Sequence, residues 1–209
     1  MPRRPRSRPI ARSPRWPALG GAVRTASWGA MALALSLSVM PARSNAQRPA
    51  RRPVTVPIVA ASTQDVGTID GIVKAYYDVI SGPKGAPRQW SRDRTLYIRD
   101  IRFAVLGERD GKPEVILQSH QDYVDASDSA MVANGFFEME IGRKTTRFGH
   151  VAQVASAYES RSTPTGKVFA RGVNMLQLYW DGTRWWISGV TWDDERANNP
   201  IPKELIGRR

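Results

Sequence analysis

Apolar residues recur at Val66, Ile69, Val73, Tyr76 and Ile80, in steps of 3, 4, 3 and 4. That spacing keeps one helix face apolar, and Ile72 and Tyr77 widen the stripe. Ser62-Thr-Gln-Asp65 has the form of a capping box, whose hydroxyl and carboxylate satisfy free amides of a first turn. Ser81-Gly82-Pro83 ends the run. The pattern therefore predicts a helix over 62–80, and Pro87 opens a short second helix through Gln89, Trp90 and Arg94. Ile101, Phe103 and Val105 alternate with Arg102 and Ala104, as a strand does. The chain turns over Arg109–Pro113 and returns through Val115–Leu117. Ser119-His-Gln-Asp122 is a second capping box, opening a helix that ends near Ala133-Asn134-Gly135.

From Phe136 onward the period shortens to 2. Strands are predicted over Phe136–Ile141, His150–Arg161, Val168–Trp180 and Arg184–Asp193. Their connections are Gly142–Thr146, Thr163–Gly166 and Asp181-Gly-Thr183, with Asp181-Gly182 between aromatic strands as the strongest hairpin signal. Helices come first and antiparallel strands after. The fold class is therefore α+β: N-terminal helices packed on a strongly curved, mostly antiparallel sheet, leaving an interior that one helix cannot entirely fill.

Charge changes the picture only at one end. Residues 1–52 hold eleven arginines and no acid, while the other 157 residues hold 20 basic against 19 acidic groups. The formal charge of +12 is thus a property of the N-terminus, and a folded nucleic-acid-binding domain is disfavoured. An apolar run, Met31–Val39, follows Arg24 and precedes Pro41 and the small residues Ser44-Asn45-Ala46. Basic region, short apolar core and small-residue site make a secretory signal peptide over 1–46, giving a periplasmic or secreted protein. The run is far short of the ~20 residues of a membrane span, so no stable anchor remains after cleavage. Residues 47–61, rich in Pro and Arg, read as a disordered leader. The domain is placed at 62–199 and a C-terminal tail at 200–209.

With no cysteine, thiolate metal sites, disulfides and a cysteine nucleophile are excluded. His120 sits in a helix cap and His150 on a distant strand, so no metal-ligand spacing exists and no cofactor is expected. Candidate ligand contacts come from the strand faces. His150, Ala152, Val154, Ser156 and Tyr158 share one face, and its small residues leave room for two polar tips. Asn174 is the one polar member of a face with Leu176, Leu178 and Trp180, and a buried amide must be hydrogen-bonded to a ligand or a neighbouring strand. Tyr76 and Trp90 close the pocket from the helices. Glu138 and Glu140 share a face and suit an acid–base pair; by ordinary alternation they point outward, with Phe137, Met139 and Ile141 inward. The aromatic hairpin with Trp180, Trp185, Trp186 and Trp192 packs a core or a subunit contact, or stacks a flat ligand.

The order of elements resembles the nuclear transport factor 2-like superfamily, the cone fold shared with SnoaL-like cyclases, ketosteroid isomerase and scytalone dehydratase. The phrases that carry the likeness are Asn134-Gly-Phe-Phe-Glu-Met-Glu140, Phe148-Gly-His-Val-Ala-Gln-Val154, Ser156-Ala-Tyr-Glu-Ser-Arg161, Arg171-Gly-Val-Asn-Met-Leu-Gln-Leu178 and Asp181-Gly-Thr-Arg-Trp-Trp186. Together they look like an exported bacterial group of unassigned activity. The resemblance implies a cone pocket for a small, largely apolar molecule and a homodimer. It also implies, as alternatives, a metal-independent isomerase, dehydratase or cyclase with Asp93 or Asp100 as a base, or a noncatalytic interaction module. No catalytic residue carries over position by position.

Overall fold

The computed structural model describes residues 53–207, so the export signal expected over 1–46 lies outside the described residues. The apolar stripe near the start forms two helices rather than one, α1 (Thr63–Val66) and α2 (Ile69–Ile80). The expected capping box is not made: Ser62 has no side-chain cap, and Asp65 instead receives two Arg92 N–H groups at 2.7 Å. Thr68 caps α2 by accepting from Gly71 N. The stripe then buries Ile72, Val73 and Val79, each 1% exposed or less, for about 2 kcal/mol apiece. Helix α3 (Trp90–Arg94) follows, three residues later than Pro87 suggests.

Strands β1 (Arg102–Arg109) and β2 (Lys112–Ser119) make a hairpin closed by Asp110 and Gly111, both at positive φ. Helix α4 (His120–Asn134) starts with the complete Ser119–Asp122 capping box and stops at Gly135, φ 75°. Strands β3 (Phe137–Phe148), β4 (Val151–Arg161), β5 (Val168–Trp180) and β6 (Trp185–Asp194) complete the sheet. The segment expected to connect at Gly142–Thr146 is strand, and the turn falls at Gly149-His150.

The sheet is six-stranded, curved and unclosed, in the order β2-β1-β6-β5-β4-β3, with β1–β6 its only parallel pair. Its inner face carries Val154, Leu176, Leu178, Ile187 and Val190 and meets the buried face of α2 in one core. Val54, ahead of the helices, donates its N–H to Asp125 of α4 at 2.8 Å and accepts from Gln121 at 2.9 Å. At the other end Ile201 and Leu205 are buried with Ala157 against the outer face. A Cβ on Gly142 would collide with the Leu205 carbonyl oxygen, and Gly207 N–H reaches Ile141 O at 2.9 Å. Both faces of β3–β4 are therefore partly covered.

Candidate functional site

A cavity of about 200 Å³ remains between the helices and the inner face of the sheet. The rings of Tyr76, Tyr97, Phe103, Tyr123 and Trp192 wall it, and Phe136 and Phe169 stand at its rim. The wall rings pack edge to face, Tyr97–Phe103 at 5.2 Å and Phe103–Tyr123 at 5.4 Å between centroids. Phe169 is 58% exposed and Asp194 is exposed, which marks the open side. Small residues face the cavity from the sheet: Ser160 on β4 and Ala170 opposite it on β5.

The polar end is built by strand register. Directly opposed residues share a face, and Glu138 lies opposite Ser160, Glu140 opposite Tyr158, and Ser156 opposite Asn174. Glu138 accepts from Ser160 Oγ at 3.0 Å and from Asn174 Nδ2 at 3.3 Å. The same Asn174 Nδ2 donates to Tyr77 Oη at 3.3 Å, while Tyr76 Oη donates to Asn174 Oδ1 at 3.2 Å. Tyr77 is joined to Ser156 at 2.6 Å, and Ser156 donates to Glu140 at 2.6 Å. One row further, Tyr158 Oη crosses Gly172 and donates to Asp194. A Cβ at Gly172 would stand 2.5 Å from that hydroxyl, so only glycine leaves the path clear.

Burial is the largest influence on Glu138 and pushes its carboxyl up from 4.5 to about 7. The hydrogen bonds from Ser160 and Asn174 pull it back, and the nearby Asp194 charge adds to the rise. No Lys or Arg among the described residues forms an ion pair with it. Glu138 is half-buried and also borders a second groove between α2 and β3, beside Lys74 and Arg143. Those two cations are engaged elsewhere, Lys74 with Asp78, and Arg143 with Asp70 and Glu140. Burial likewise pushes Tyr76, Tyr77 and Tyr158 well up, so their phenols stay protonated.

Of the residues singled out from sequence, the cavity brings together Tyr76, Tyr158 and Asn174. His150 is not with them. It is exposed in the β3–β4 turn, eight residues from Tyr158 and so roughly 26 Å along the strand. Trp90 is buried but stands behind Tyr123, ring centroids 6.0 Å apart, with its indole N–H on Asp128. Tyr123, not Trp90, supplies the cavity wall there. Of the two aspartates, Asp100 is exposed, while Asp93 is fully buried with Oδ2 2.8 Å from His120 Nε2 and Oδ1 accepting from Tyr97 Oη. Arg171 pairs with Glu195 at 3.0 Å. The Trp180–Trp185 hairpin is packing: Trp185 is buried, and the Arg184 guanidinium lies 3.7 Å over the Trp186 ring.

Glu138 is the residue sequence reasoning placed on the wrong face. Its signal was present in Ser156 and Ser160, whose hydroxyls on an inward face need partners. Phe137, Met139 and Ile141 misdirect because the outer face is apolar too, under Ile201 and Leu205. Among the described residues no group of three His, Asp or Glu is placed to hold a metal ion.

Helices followed by an unclosed, curved, mostly antiparallel sheet, with a cavity between the layers, define the class: an α+β fold of cone shape. No protein-family model and no curated protein matches the chain. Solved structures similar to it include a Mycobacterium tuberculosis protein of unknown function, 19% identical, covering 64% of this chain and 79% of that one at a TM-score of 0.45. A nuclear transport factor 2-like protein of unknown function from Silicibacter pomeroyi is 13% identical, covering 62% and 94%, TM-score 0.42. The third, from Novosphingobium aromaticivorans, is described as a candidate β subunit of an aromatic-ring-hydroxylating dioxygenase; it is 17% identical, covering 65% and 95%, TM-score 0.47. These are likenesses of fold alone.

Proposed function

We propose that the domain binds a small molecule with an apolar body and one polar group, held between the aromatic walls and the Glu138–Asn174 end of the cavity. The observation that supports this most is a carboxyl at the polar end of an aromatic cavity that meets only neutral donors, Ser160 and Asn174. A purely structural carboxylate in such a place is normally paired with a cation. Aromatic walls with a few convergent polar atoms suit a flat or branched ligand, and the two carboxylates disfavour an anion. Trp192 in the wall is a built-in reporter. Titration with 2-naphthol should change its fluorescence and saturate, and naphthalene-2-sulfonate should not compete. Equal binding of the sulfonate, or none of the naphthol, rejects this reading.

A second reading is metal-independent proton transfer on the bound molecule, favoured by Glu138, whose carboxyl near 7 suits a group that both takes and gives a proton. Exchange of α-protons of 2-tetralone for deuterium, lost in Glu138→Gln, tests it; exchange no faster than in buffer ends it. We propose also that the mature chain begins at Gln47 outside the inner membrane, which N-terminal sequencing of protein from its native envelope checks. Two copies pair through outer sheet faces, where Met139 and Met175 stand exposed. Sedimentation equilibrium should then give a dimer, and a concentration-independent monomer removes it.

A further inference from the structure

The polar end of the cavity has a one-sided hydrogen-bonding inventory. Tyr76 donates to Asn174, Asn174 donates to Tyr77 and Glu138, Ser160 donates to Glu138, and Tyr158 donates to Asp194. Each of these side-chain donors is already engaged. What remains open is acceptor capacity, on the two carboxylates and on the hydroxyl oxygens, since an ionised carboxylate has about four lone-pair sites. A ligand that completes this end brings N–H or O–H groups to it.

Charge points the same way. No Lys, Arg or His lines the cavity, whereas Glu138 and Asp194 do; Lys74 and Arg143, on the groove side of Glu138, and Arg196, beside the Asp194 backbone, are held by other acids. The remaining wall is aromatic, and ring faces attract cations. Resting on the cavity reading above, we propose that the ligand is a small organic ammonium with an aromatic or branched apolar body, its N–H groups taken up at the Glu138 end and its charge compensated by Glu138 and Asp194.

A protonated amine has three donors and no acceptor, which matches this inventory. A neutral alcohol brings one donor and leaves a carboxylate charge uncompensated. A cation at Glu138 favours the ionised carboxyl, so binding tightens as pH rises from 6 to 8. The other titratable and charged groups around Glu138 are Tyr76 and Tyr77 of α2, Tyr123 of α4, Tyr158 of β4 and Asp194 of β6, with Lys74, Glu140 and Arg143 on the groove side. All four phenols are pushed up by burial and stay neutral through that range.

Calorimetry of the full chain with 2-phenylethylamine and 2-phenylethanol at pH 8 tests the proposal. The amine should bind about tenfold tighter than the alcohol, as charge-assisted hydrogen bonds and ring faces favour the cation. That preference should collapse in Glu138→Gln and shrink in Asp194→Asn, a rim variant that leaves the buried network intact. Equal or tighter binding of the alcohol overturns the ammonium assignment while leaving a cavity for neutral ligands. Binding of neither probe removes the ammonium assignment and the cavity reading together.

Discussion

Two carboxylates that face the helix layer, Asp93 and Glu138, are opposite in kind. Asp93 is fully buried, with both oxygens engaged, one by His120 and one by Tyr97. It joins α3 to the first residue of α4 and does not line the cavity. Glu138 meets only a hydroxyl and an amide, keeps part of its surface accessible, and lines the cavity. A completed set of partners marks a carboxylate that holds the fold. An incomplete set in a cavity marks one kept for a ligand.

Breaking that contrast should have its largest effect at Asp93. Asp93→Ala leaves His120 and Tyr97 buried without their partner and should cost about 3–5 kcal/mol in urea unfolding. Glu138→Gln should cost far less, because it removes a carboxyl whose ionised form burial disfavours. A loss under about 1 kcal/mol at Asp93 contradicts the structural role given to it.

Next in size is a pH effect. Glu138 titrates near 7 when folded and near 4.5 when unfolded. Between those values the native state holds the extra proton, so this group's contribution to stability is greatest below 4.5, declines as pH rises, and levels off above 7. The decline is up to about 3 kcal/mol. Comparing wild type with Glu138→Gln isolates it; the same pH slope in both sequences would contradict it.

Asn174→Ala should cost about 1–2 kcal/mol, the usual loss for a buried hydrogen-bond partner. It should also abolish the 2-naphthol response, because Tyr76 and Glu138 lose their common link. Unfolding of the variant would make the amide purely structural. His150→Ala should change stability by less than about 0.5 kcal/mol and binding not at all. A measurable loss of 2-naphthol affinity would return that residue to the site.

The same residues show what was legible in sequence. Tyr158 and Asn174 stood out as polar members of apolar faces, and alternation located them correctly. His150 has the parity of that face but lies in the turn before β4: parity says which side a strand residue is on, not how far the strand or the helix layer reaches. The β3–β4 hairpin outruns that layer, leaving Phe148 87% exposed beside His150. Glu138 was hidden because alternation assumes a wet outer face, and the segment near Ile201 and Leu205 makes that face apolar. The Asp93–His120 pair, 27 positions apart, depends on how two short elements meet, which no local pattern encodes.

The central claim, that Glu138 is the carboxylate kept for a ligand, is tested most directly by carbon-13 NMR of the side-chain carboxyls across pH. The Glu138 signal should titrate with a midpoint near 7 in the free protein, and that midpoint should move when 2-naphthol is added, while the Asp93 signal stays indifferent to the ligand. A Glu138 midpoint in the ordinary carboxylate range, unmoved by the ligand, would contradict the account.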